Sequence, residues 1–127
     1  MEPRATYLCV VVTGGLDLAE LQAGFLRVLD ACVQLGASKV LLDARQVTGS
    51  MSLGERYQWG VFAAEAYQAH LAAGNPALRL AILGREEVLD RQRFGESVAR
   101  NRGMESKATT DPAEAALWLG IDPGSIS

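Results

Sequence analysis

KVLLDARQVTGSMSLGE, running from Lys39 to Glu55, joins an apolar strand to the start of a helix. Val40 to Ala44 reads as a buried strand that delivers Asp43 to its carboxyl end. A short Gly/Ser loop follows. Ser52 then opens a helix, with Glu55 three residues on as the second half of a capping box. The arrangement places a hydroxyl at a helix N-terminus beside the strand ends of a parallel sheet, where α/β folds commonly bind ligands.

Outward from this stretch, strands and helices alternate. Thr6 to Thr13, TYLCVVVT, is an almost continuous apolar run rich in β-branched residues, the pattern of a central strand. Gly14 and Gly15 break it. Asp17 then caps a helix with Glu20 at its third position, and Leu18, Leu21, Phe25, Val28, Cys32 and Leu35 form one apolar stripe. Gly36 ends that helix. The helix opened by Ser52 extends to about Leu71, and Gly74, Asn75 and Pro76 make the following turn. Leu78 to Leu83 is the next strand, closed by Gly84. Glu86 to Asn101 reads as another helix stopped by Gly103, and Ser106 to Thr109 as a short strand. Asp111 caps the last helix, with Pro112 at its first position and Glu114 at its third; Trp118 and Leu119 dock it on the body.

The alternation predicts a single α/β domain over residues 1–127 with a four-stranded, mainly parallel sheet covered by helices on both faces. Right-handed crossovers make 2-1-3-4 the economical strand order. The switch point of that order falls near Gly14, Gly15 and Gly84, with Asp43 on the strand beside them.

Composition narrows the function classes. The chain has 127 residues, 49% of them hydrophobic and 21% charged, as in ordinary globular domains. A net charge of −3, with ten Arg and two Lys scattered along the chain, offers no footprint for nucleic acid. Cys9 and Cys32 make no metal motif and read as small core hydrophobes. No leader or membrane-length apolar run occurs, so a cytoplasmic protein without stable membrane insertion is expected. No metal or cofactor motif is present.

The order and spacing of VVVTGGLDLAEL, KVLLDAR with Gly49 and the Ser52–Arg56 helix start, LRLAILG, FGESVARNRG and DPAEAALWL resemble the SpoIIAA-like group. These are small bacterial proteins related to the STAS domains of anti-sigma-factor antagonists, with a fold also compared to the CRAL-TRIO lipid carriers. The resemblance spans Thr6 to Gly120. It implies a non-enzymatic interaction or regulatory module, with a lipid or small apolar ligand as the alternative. It also implies that Ser52 falls where such antagonists carry a phosphorylatable serine, although Met51 stands in place of the family's acid. The extra edge strand in front of the STAS sheet is expected to be missing, because the chain begins close to its first central strand.

The candidate residues each have a plainer structural reading. Ser52 is either a phosphosite or an N-cap; Glu55 favours the cap, since it would repel a phosphate one turn away. Gly14 and Gly15 could cradle a phosphate or simply permit a tight turn. Asp43 is the best catalytic candidate by position, but an acid at a strand end more commonly bonds to nearby backbone N–H groups or, here, to Arg45. The only histidine, His70, reads as a surface residue near a helix end. The Ser52 helix carries two apolar stripes. One holds Leu53, Tyr57, Val61, Ala64 and Leu71, the other Trp59, Phe62, Ala63, Ala66 and Ala69. One stripe must meet the sheet; the other is read as an interface or ligand surface, with a homodimer through this helix as the leading expectation and a neighbouring helix as the alternative cover.

Overall fold

The computed structural model describes residues 2–3, 7–15, 17–49, 52–86, 105–122, 124 and 126. Five strands form one sheet: β1 (Glu2–Pro3), β2 (Leu8–Gly15), β3 (Lys39–Thr48), β4 (Arg79–Leu83) and β5 (Glu105–Thr109). Three described helices accompany them: α1 (Leu18–Leu35), α2 (Leu53–Ala72) and α3 (Pro112–Leu119). The expected helix from Glu86 to Asn101 and its stop at Gly103 lie outside the described residues.

The sheet order is β1-β2-β3-β4-β5, and β2 to β5 are all parallel. This corrects the 2-1-3-4 order: each parallel strand is laid on the same side of its predecessor. The sheet therefore has no switch point, and β3 separates Gly14 and Gly15 from Gly84. A second correction lies at the front of the sheet, where β1 supplies a short antiparallel edge strand, with Glu2 opposite Cys9 and Pro3 opposite Leu8.

Successive right-handed crossovers in one direction place their helices on one face. Alternation along β2 shows the result. Leu8, Val10 and Val12 join Phe25, Val28, Leu29 and Cys32 of α1 and Ala63 and Tyr67 of α2 in one core. Tyr7 and Cys9 join Leu41, Ala81 and Leu83 under Ala115 and Leu119 of α3 in the other. Among the described residues both faces are covered, but unequally: two long helices on one side, one short helix on the other. Both cysteines are buried and neither is in a disulfide, and burial pushes the Cys32 thiol up to about 11.

All three N-terminal caps form as the residue types dictate. Asp17 Oδ1 accepts from the Glu20 amide at 3.1 Å, and Asp111 Oδ1 accepts from the Ala113 amide at 2.9 Å. Gly36 and Gly120 end α1 and α3 in the left-handed conformation. The α3 helix is anchored by Trp118, whose indole N–H donates to the Leu80 carbonyl at 3.1 Å while Arg79 stacks over its ring.

The surface reading of His70 is overturned. The residue is 7% exposed, stacked on Tyr67, and its Nε2 donates to the Pro76 carbonyl at 3.2 Å. Its own carbonyl accepts from the Asn75 side chain. Tyr67 completes the lock, its hydroxyl accepting from the buried Leu78 amide at 3.0 Å. The Gly-Asn-Pro turn folds back over the helix end and buries the imidazole, which position along the helix alone does not reveal. Tyr67→Phe should cost about 1–3 kcal/mol, because the Leu78 amide is left buried without an acceptor. Urea unfolding checks this, and a midpoint unchanged by Tyr67→Phe contradicts the lock.

Candidate functional site

Asp43 and Arg45 sit at an irregularity in β3. Val11 pairs with Asp43, but Thr13 pairs with Gln46, so β3 carries one extra residue between them. This is a bulge, and it leaves a ladder amide to be satisfied. Asp43 does so: its Oδ1 accepts from the Arg45 amide at 3.2 Å and from Arg45 Nε at 2.9 Å, while Oδ2 accepts from the guanidinium Nη2 at 2.8 Å. The side-chain bond from Arg45 holds the Asp43 carboxyl below its usual range, against the opposing effect of burial. The group is an ionised brace within its own strand. β3 runs to Thr48, past the expected end at Ala44, because Gln46, Val47 and Thr48 pair with Thr13, Gly14 and Gly15 of β2.

Ser52 is engaged in the same way. Its hydroxyl accepts from the Glu55 amide at 3.1 Å, and Glu55 Oε1 accepts from the Ser52 amide at 3.0 Å. Both halves of the capping box are present. Gly14 and Gly15 are strand residues rather than a turn, paired with Val47 and Thr48. Gly14 has φ +91°, which only glycine adopts without strain, and its carbonyl accepts from the Thr48 hydroxyl at 3.5 Å. Gly84 is buried and donates its amide to the Thr109 carbonyl at 3.1 Å. The structure therefore disperses the four expected loop residues along the carboxyl side of the sheet without forming a crevice from them.

On α2 the buried line is Gly60, Ala63, Ala64, Tyr67 and His70, of which Ala64 comes from one expected stripe, Ala63 from the other, and Gly60, Tyr67 and His70 from neither. Trp59, Phe62 and Ala66 are half-buried and rest against the α1-side core. The Trp59 ring meets Phe25 of α1 edge-on, with centroids 5.5 Å apart. The neighbouring helix is thus a large part of what covers this stripe. The exposed large apolar side chains of α2 belong to the other one: Leu53 at 58% and Tyr57 at 47%.

A groove of about 520 Å³ opens between β2 and α1. Its apolar wall comes from Val10, Val12, Leu21, Phe25, Leu42 and Trp59. Thr13, Asp17, Glu20 and Arg27 also line it. Of the residues singled out from sequence for an apolar site, only Trp59 lies here. The α1 residues were missed because their stripe reads as ordinary core. Gly24 was the available signal: glycine inside a helix is unfavourable relative to alanine by about 1 kcal/mol, and here it leaves the groove wall low. Among the described residues no group of three His, Cys, Asp or Glu side chains could hold a metal ion, and no helix is long and apolar enough to cross a membrane.

Two measurements follow from these bonds. Ser52→Ala should cost about 1 kcal/mol and Ser52→Asp only a few tenths, since aspartate also caps; thermal melts distinguish them. Asp43 has a lowered folded-state pKa, so its contribution is complete above the unfolded carboxyl value near 4 and disappears as pH falls through the folded value. The urea midpoint of the wild type should accordingly fall more steeply on the acid side than that of Asp43→Asn. Parallel slopes would contradict the brace. No family model matches the chain, and neither curated proteins nor solved structures give a significant match.

Proposed function

We propose that this chain is a non-enzymatic interaction or regulatory module of the STAS-like type, homodimeric through α2, with the same helix as the surface for a regulatory protein partner. The observation that carries the reading is the outer face of α2. Leu53 and Tyr57 stand one turn apart and largely exposed, and the half-buried Val61 continues the line. Isolated exposed apolar residues are common on protein surfaces, but a row at four-residue spacing is the form in which a helix meets a groove or another helix. The two polar groups with the best positions for chemistry, Asp43 and Ser52, are meanwhile held in bonds that stabilise the scaffold.

A second reading rests on the groove between β2 and α1. Its volume of about 520 Å³ falls in the range of small-molecule sites, and its wall is mainly apolar. A small apolar ligand or a lipid chain fits that chemistry.

Sedimentation velocity tests the first reading: a dimer is expected over roughly 1–100 μM, and a monomer throughout that range overturns the homodimer. A photo-crosslinking residue at position 57 should trap a protein partner in cells, whereas the same residue at the exposed Ala113 of α3 should not. Native mass spectrometry of freshly purified protein tests the second reading. A bound mass that disappears on Val12→Trp, which fills the groove, supports it; a clean apo mass counts against it.

A further inference from the structure

We propose that the groove between β2 and α1 takes an amphiphilic monocarboxylate, an aliphatic chain whose carboxylate is held by Arg27. This names the ligand class for the groove reading above and rests on that reading.

The first observation is how far the groove reaches. Leu42 of β3 pairs with Val10 of β2 and shares the two-helix side of the sheet with Val40 and Leu80. Val40 and Leu80 are sealed, at 1% and 4% exposed, whereas Leu42 is only half-buried. β3 is paired along both of its edges, so the opening at Leu42 lies on the face of the sheet and not at its margin. Val12 of β2 and Trp59 of α2 are half-buried as well, and all three side chains line the groove. An apolar floor left half-open between a sheet and two helices is the form of a small-molecule site, and it rewards an aliphatic chain that covers it.

The second observation concerns the head group. Arg27 is the one basic side chain among the described residues that line the groove. Among the described residues it has no ion-pair or hydrogen-bond partner. A Cβ placed on Gly24 would stand 3.7 Å from Arg27 Nη2. The guanidinium is therefore turned back along α1, against the helix surface that the glycine one turn earlier leaves bare. Its planar fork presents paired N–H groups that match the two oxygens of a carboxylate.

The third observation sets the charge of the occupant. Asp17 and Glu20 line the groove toward the N-terminus of α1. Asp17 is engaged as the helix cap, and Glu20 lies in the first turn, where the helix dipole favours its carboxylate. Arg27, in mid-helix, has no such compensation. Glu20 precedes Arg27 by two turns, about 10 Å along the helix, which is near the screening length of salt water. A singly charged head on Arg27 thus escapes most of the repulsion from these acids. A doubly charged phosphate ester would meet twice as much.

Calorimetric titration of the full chain with decanoate, kept below the concentration at which it self-associates, tests the assignment. Decanoate should bind at least tenfold tighter than decanol, and tighter than decyl phosphate or decylamine. Arg27→Gln should weaken decanoate about tenfold and leave decanol unchanged; Arg27→Lys, which keeps the charge but loses the fork, should fall between. In a parallel NMR titration the indole N–H resonance of Trp59 should move and that of Trp118 should stay. Equal affinities for decanoate and decanol, tighter binding of the phosphate or the amine, or an Arg27→Gln variant that does not single out decanoate overturns the carboxylate assignment alone. No heat and no movement of the Trp59 indole with any of the four probes overturns both this inference and the groove reading.

Discussion

A right-handed crossover that always steps toward the same side of a sheet leaves its helices on one face, and this handedness governs the rest of the domain. With β2, β3 and β4 laid down in one direction, α1 and α2 must lie side by side. Each then needs two apolar surfaces, one for the sheet and one for its neighbour. The Phe25–Trp59 contact is where those second surfaces meet. The opposite face receives no helix from these crossovers. It is closed by α3, which follows the last strand and is free to cross to the other side.

This constraint explains what could be read from the chain and what could not. The elements were legible because their signals are local: Asp17, Ser52 and Asp111 each accept the amide that their positions predict, and Gly36 and Gly120 end their helices. The strand order is not local. Both 2-1-3-4 and the observed order satisfy right-handed crossovers, and only the distribution of apolar surface distinguishes them. The two stripes on the Ser52 helix contained that information. They read as one stripe for the sheet and one for a partner, whereas a helix flanked by another on the same face needs the same pattern. Trp59 and Phe62 were, in this respect, evidence about topology.

The candidate site shows a similar division. The spacing of Asp43 and Arg45 made their mutual contact foreseeable, but not the bulge that gives it a purpose, because a bulge depends on the register with β2. His70 was misplaced because its burial comes from Pro76, six residues downstream and beyond a turn. The groove went unseen because it lies between two elements that each look like plain core.

The extra residue in β3 has a consequence for how the strand is counted. Up to Asp43 the odd-numbered side chains of β3 project toward α3, as Leu41 does. Beyond the bulge, Val47 aligns with Gly14 and so belongs to the opposite, two-helix side, where it is buried. Parity is reversed along a single strand that pairs with β2 on both sides of the bulge. Anyone grafting a new loop between Thr48 and Ser52 must therefore take the phase from Val47. A design counted forward from Lys39 would turn a valine into solvent and drive Gln46 into the interior.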